Sequence, residues 1–310
     1  FMFSIVSKRK IFFSISAVIC LAAILCLIIW PLKLGIDFTG GAMIELSFEE
    51  RPPIEQIKEK LNSFNLGEVK ISQTGENGYL LRFKEIDEQT HQEILKVLTG
   101  AKEERYEIVG PTIGQEVKTK AKTAIILSVI LIFVYIVWAF RKISRFFGRQ
   151  ESWRYGAGAI LALIHDMLIM CGFFALLGFL KGTEVDTLFI SALLTILGYS
   201  VNDTIVIYDR IRENTLLYGR DNFEEVVNLS LNESLVRSLN TSLTTLLVVL
   251  TIALFTGSST QIFALALAVG IISGTWSTIA IATPFVLLGH TKKGTVPKSR
   301  PSQTRINIGF

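Results

Sequence analysis

The stretch FISALLTILGYSVNDTIVIYDR, Phe189–Arg210, decides the fold. It is apolar over the length that crosses a hydrocarbon layer, about 20 residues for roughly 30 Å. Yet it places Asn202 and Asp203 where the helix should still be in hydrocarbon. Ser191, Thr195, Tyr199, Asn202 and Asp203 follow at helical steps, so one polar stripe runs down an otherwise apolar span. A charge at the bilayer centre costs at least about 2.5–3.5 kcal/mol, and such residues face a bundle interior and carry function.

Five further apolar runs lie at 11–30, 121–140, 157–180, 239–256 and 262–288, which with 187–208 predict six spans. Half of the 310 residues are hydrophobic, 19% are charged, and mean hydropathy is +0.48, a balance that points to a membrane protein. The first run follows SKRK and ends in WPLKLG without a small-residue cleavage pattern, which reads as a retained anchor. Cys20, Cys26 and Cys171 all fall inside spans and carry no disulfide signal.

Basic residues in short loops set the topology. Lys8, Arg9 and Lys10 precede the first span, and Arg141, Lys142, Arg145, Arg149 and Arg154 lie between the second and third. Arg210, Arg212, Arg220 and Arg237 lie between the fourth and fifth, and Lys292, Lys293, Lys298, Arg300 and Arg305 follow the sixth. The opposite side has Lys181. Both termini are thereby expected in the cytoplasm and the segment between spans one and two outside. Lys118, Lys120 and Lys122 oppose this, but long translocated segments largely escape the rule. The net charge of +4 is a topology signal and calls for no nucleic acid.

That segment reads as a small soluble domain. AMIELSFE alternates as a strand does, and PPIEQIKEKLNSFN repeats Ile54, Ile57, Leu61 and Phe64 at helical spacing. EVKISQT and YLLRFKEI are strand-like around GENG, DEQTHQEILKVLTG is helical, and ERYEIVG closes with a strand. The order βαββαβ predicts a ferredoxin-like α+β domain inserted between helices 1 and 2 of an α-helical membrane protein. The chain then divides into a tail with the first span (1–34), the external domain (35–117), spans two to six (118–290) and a basic cytoplasmic tail (291–310). His91 is expected to be a solvated surface residue. No metal-ligand, cofactor or nucleophile pattern occurs, so no enzyme activity is expected.

Other spans carry polar groups too. On span five, Arg237, Thr241, Thr244, Thr245 and Thr251 make a second polar face, with Arg237 the expected partner of Asp203. In span three, His165 and Asp166 lie at a similar depth; being adjacent, they point about 100° apart and should not face one neighbour. Asp209 and Arg210 read as a solvated helix end. Gly270 and Gly274, with Ser273 and Ser277, favour close helix packing in span six, and span two reads as lipid-facing.

With these motifs in view, the chain resembles the SecF-type members of the SecD/SecF protein-export family, within the resistance-nodulation-division superfamily. The resemblance rests on GIDFTGG (35–41), VGPTIGQE (109–116), HD (165–166), GYSVNDTIVIYDRIREN (198–214) and SLNTSLTTLL (238–247). It implies a subunit that works with SecD and the SecYEG translocon, using the proton motive force to move unfolded polypeptides across the bacterial inner membrane. It implies proton-relay roles for Asp203 and Arg237, with Asn202, His165 and Asp166 as further relay candidates. It also marks Gly35, Asp37, Gly40, Gly41, Gly110, Pro111 and Gly114 as junction motifs of the external domain. The coupling ion, H⁺ or Na⁺, stays open. The alternatives are a non-conducting scaffold, or half of a small-molecule exporter, which would need a larger external domain.

Overall fold

The computed structural model describes residues 4–75, 77–141, 150–219, 221–256 and 258–288. The basic residues Lys142, Arg145, Arg149 and Arg220 and the tail 291–310 lie outside the described residues. In chain order, α1 (Arg9–Ile29) leads to a four-residue helix α2 (Ile36–Thr39) and then to β1 (Gly41–Phe48). α3 (Ile54–Leu61), β2 (Lys70–Thr74), β3 (Gly78–Phe83), α4 (Glu88–Val97) and β4 (Ala101–Val109) complete the small domain. Four long helices follow: α5 (Pro111–Ala139), α6 (Gln150–Lys181), α7 (Thr187–Tyr218) and α8 (Phe223–Phe255). α9 (Ser258–Ser277) runs through a π-helical turn, Thr278–Ala282, into a last turn at Thr283–Phe285.

Among the described residues six helices are long and apolar enough to cross a membrane, as the hydropathy runs require. The four longest have 29 to 33 residues, or about 44–50 Å at 1.5 Å per residue, so they project past a layer of about 30 Å. The third, fourth and sixth spans form the centre of the bundle; 50% of the most apolar window of the sixth is buried. The corresponding figure for the second span is 6%, in keeping with its lipid-facing composition. Gly270 and Gly274 lie against Ile196 and Ser200 of α7, the close packing expected of their spacing.

The small domain is the βαββαβ unit read from the sequence. Its antiparallel sheet has the order β2-β3-β1-β4. Ile44 pairs with Leu81 on one side and Tyr106 on the other, and the register shifts once, at Glu45/Leu46. Ala42, Ile44, Leu46, Leu81 and Phe83 point to one face, as alternation demands, and meet Ile57, Leu61, Ile94 and Leu98 of the helices. The domain thus owns a hydrophobic core apart from that of the bundle. The helix starts are capped by short-range chemistry: the Asp87 carboxylate accepts from Thr90 N at 2.9 Å, and Pro111 opens α5 behind Gly110.

His91 departs from its expected exposure. It is 4% exposed, its Nε2 is 2.9 Å from Glu103 Oε2 and its Nδ1 is 3.4 Å from Glu88 Oε1. Its ring stacks on Tyr106, with centroids 3.6 Å apart. Glu103 and Tyr106 both come from β4, so tertiary contacts, invisible in the local helix pattern, draw the imidazole inward.

Candidate functional site

Among the described residues the bundle holds two buried carboxylates, Asp166 and Asp203, with opposite surroundings. Asp166 of α6 is 1% exposed and accepts on both oxygens. Oδ2 receives Ser200 Oγ of α7 at 2.6 Å and Ser277 Oγ of α9 at 2.8 Å. Oδ1 receives Ser273 Oγ at 2.7 Å and lies 3.0 Å from His165 Nδ1. Three helices therefore converge on one carboxylate whose acceptor capacity is filled, the condition under which a buried charge is tolerable. Gly274 makes this possible: a Cβ there would stand 2.9 Å from Ser200 Cβ, so only glycine lets α9 bring Ser273 and Ser277 within reach.

His165 and Asp166 bond directly to each other, despite the angle between neighbouring positions on a helix. His165 is 3% exposed, and its Nε2 has no hydrogen-bond partner among the described residues. Below this cluster, Thr204 Oγ1 and Thr278 Oγ1 are 2.9 Å apart, and the Tyr208 hydroxyl donates to Ala282 O at 2.9 Å. Within GYSVNDT the sequence marks Ser200 only by its place three residues before Asp203 on a helix.

Asp203 is 8% exposed and faces α8, where Ser238 interacts with it. Among the described residues neither Asp203 Oδ2 nor Ser238 Oγ finds a hydrogen-bond partner. Arg237 is exposed and forms no ion pair with Asp203 among the described residues. Asn202 is exposed as well. Further along the same helices Tyr199 OH reaches Ser242 Oγ of α8 at 3.4 Å, and Ser242 also accepts from Thr275 Oγ1 at 2.7 Å. Ser191, Thr195, Thr241, Thr244, Thr245 and Thr251 donate to carbonyls of their own helices instead. Asn202 on α7 and Arg237, Asn240, Thr241 and Thr244 on α8 are thus exposed at the outside of the bundle. Asp209 and Arg210, further along α7, are engaged in surface pairs with Arg212, Glu213 and Glu233.

The junction motifs pack on one another. Gly40 has φ +75°, a left-handed value that favours glycine, and a Cβ on it would be 2.8 Å from Pro111 Cα. Gly114 in turn faces Phe38 and the Gly40 backbone at 3.0–3.2 Å. Gly41 at φ +125° starts β1 against the Phe83 carbonyl. Gly110 precedes Pro111 as the cap of α5. GIDFTGG and VGPTIGQE therefore form one knot where α2, α5 and the sheet meet.

The same knot holds the head of α7. Gly35 N donates to Val185 O and Val185 N to Lys33 O, each at 2.8 Å. Thr187 donates twice to Asp37 Oδ2, from its backbone N at 2.8 Å and from Oγ1 at 2.7 Å. Asp186 caps the same helix through Phe189 N at 2.9 Å. Burial raises the Asp186 carboxyl above the ordinary carboxylate value, the Phe189 hydrogen bond opposes this, and the Asp37 charge adds to it. Glu184 pairs with Arg82 of β3 at 2.7 Å; burial raises its carboxyl too, against the pull of Arg82.

The fold and site define a class: a multi-pass membrane protein with carboxylates buried in its helical bundle and a small α+β domain tied to the head of one central helix. Residues 90–292 match the family model for protein export membrane protein SecD/SecF, C-terminal, and residues 31–50 match the SecD/SecF GG motif. The chain is 40% identical to the protein translocase subunit SecF of Thermobaculum terrenum, over 94% of this chain and 95% of that one. It is 35% identical to the subunit of the same name from Anaerolinea thermophila, over 96% and 100% of the two chains. Its structure resembles the crystal structure of SecDF, a translocon-associated membrane protein from Thermus thermophilus, with a TM-score of 0.82 at 32% identity. That match covers 93% of this chain and 38% of the other. A second SecDF crystal structure, in a super-membrane-facing form, gives a TM-score of 0.65 over the same shares. The chain belongs to the SecD/SecF family of protein-export membrane proteins.

Proposed function

We propose that this chain is a SecF-type subunit of the Sec protein-export machinery, which with SecD uses an ion gradient to promote polypeptide translocation. In this reading Asp203 is the proton acceptor, and Arg237 and Asn202 face it from the completed relay. His165 and Asp166 form a second polar centre one turn away, through Ser200. The reading assigns no enzymatic step to the chain. SecYEG and an unfolded exported polypeptide are the further partners, and both termini are cytoplasmic, with the small domain on the outer face of the inner membrane.

The observation that carries the proposal is the incompleteness of the Asp203 site. A carboxylate at mid-span retains an oxygen without a hydrogen bond among the described residues, while a cation and an amide beside it are exposed. Buried charges persist when paired, so this face calls for a second polar surface, which a SecD half of similar architecture supplies. Arg237 then swings between the open face and the carboxylate as Asp203 loses and regains its proton. Each charge carried through the field contributes about 2.3 kcal/mol per 100 mV. The test is Asp203→Asn in vesicles holding the complete export complex: gradient-stimulated export falls to the unstimulated rate while assembly is normal. Undiminished stimulation refutes the assignment.

A further inference from the structure

We propose that Asp37 is a positioning residue that couples movement of the Asp203 helix to the small domain, with the Arg82–Glu184 ion pair as the second point of grip. This rests on the proposal that Asp203 is the proton-accepting group.

The geometry supplies the argument. α7 is a continuous helix from Thr187 to Tyr218, and Asp203 lies at its middle, about 24 Å from Thr187 at 1.5 Å per residue. A helix of this kind transmits displacement along its axis, because its backbone hydrogen bonds resist bending where no proline or π-bulge interrupts them. Its first residue is held by a side chain from outside the bundle: Asp37 takes both the backbone N–H and the hydroxyl of Thr187. Hydrogen bonds to an ionised acceptor are the strong ones, and two converging on one oxygen fix orientation as well as distance.

The loop before Thr187 is held as firmly. Val185 is bonded on both sides to the chain entering the domain, through Lys33 O and Gly35 N. Glu184 reaches the sheet itself, pairing with Arg82, and their side chains are 10% and 16% exposed. Asp37 lies in α2, which the glycines of both junction motifs lock against α5. Displacement of the head of α7 therefore reaches α2 through Thr187 and Asp37, and β3 through Glu184 and Arg82, two separate points of attachment. Nothing in this arrangement accepts or donates the relayed proton; its task is mechanical.

The experiment uses the reconstituted export complex in vesicles and reads two quantities, gradient-driven proton uptake and gradient-stimulated export. Asp203→Asn should abolish both; if it leaves both intact, the underlying reading fails. Asp37→Ala should keep proton uptake within twofold and reduce export to its unstimulated rate, an uncoupling that a merely structural role would not produce. Export stimulation retained within twofold in Asp37→Ala overturns the proposal, as does a parallel loss of both readouts in an assembled complex. Should Asp37→Ala fail to assemble, Arg82→Glu and Glu184→Arg decide: each alone should uncouple, and together they should restore coupling. A double exchange as uncoupled as the single ones overturns the proposal.

Discussion

Gly172 of α6 offers a test of how the first span is seated. A Cβ built on it lies 2.6 Å from both Cα and Cβ of Ala23 in α1, and 2.9 Å from the Ala23 carbonyl oxygen. Ordinary contact between carbon atoms begins near 3.5 Å, so Gly172→Ala forces the two helices apart by about 1 Å. No rotamer can relieve this, because the obstructing atoms are main chain and a methyl group. Overpacking of this kind costs about 1–3 kcal/mol, and the higher helix propensity of alanine returns about 0.8–1.0 kcal/mol. Gly198 provides the control, since its added Cβ meets nothing within 4 Å. Gly198→Ala therefore collects only the return, and the two variants should differ by about 1–3 kcal/mol, roughly 5- to 150-fold in the unfolding equilibrium. Reversible unfolding of the purified chain in mixed detergent micelles measures this. Equal stabilities, or a more stable Gly172→Ala, would refute the close approach of α1 and α6.

Asp166→Ala strips the acceptor from three serines and an imidazole and should destabilise the bundle by at least about 2 kcal/mol in the same assay, given about 1.5–3 kcal/mol per hydrogen bond to a charged group. Ser277 recovers part of this by turning fully to Gly274 O, already at 3.1 Å, and unchanged stability would show that the network is ornamental. Burial, followed by the charges of Glu88, Glu103 and Asp87, raises the Tyr106 phenol above its ordinary 10.0. An acid raised on folding contributes stability that is present below its unfolded value and lost as pH rises through the folded one. The small domain should thus weaken above about pH 10, and Tyr106→Phe, which also removes an enclosed hydroxyl without a partner, should flatten that decline when melting is followed against pH. Arg237→Ala should leave the isolated chain within about 0.5 kcal/mol of the parent, as exposed positions do, yet reduce co-purification with SecD. A large stability loss would place Arg237 inside the bundle instead.

The sequence exposes those features whose chemistry is local or out of place. Asp203 stands out because a carboxylate interrupts an apolar run, and the small domain because its strands alternate and its helices repeat every three to four residues. Asp166 is almost fully buried, yet its partners are serines in apolar helices, which the composition hardly marks. Only the packing of Gly270 and Gly274 on α7 brings Ser200, Ser273 and Ser277 to it. His91 is misread for the converse reason: the helix start around it is polar, and the residues that enclose it, Glu103 and Tyr106, arrive on a later strand. GIDFTGG announces its glycines, but the task of its aspartate depends on Thr187, 150 residues further along the chain.

The position of Asp203 at the midpoint of α7 makes that helix a balanced lever. With the carboxylate as fulcrum, a tilt of about 5° swings each end by about 2 Å in opposite directions, given arms of roughly 24 Å. Hydrogen bonds fail over much shorter excursions, since N–H···O contacts weaken beyond about 3.2 Å. The domain at one end must therefore travel with the helix or let go of it. At the other end Arg210 and Asn214 grip Glu233, and Asn214 also reaches Ser230, both on α8. On the proposal that Asp203 takes up the proton, a tilt begun there is felt at both ends of the helix, with opposite sense.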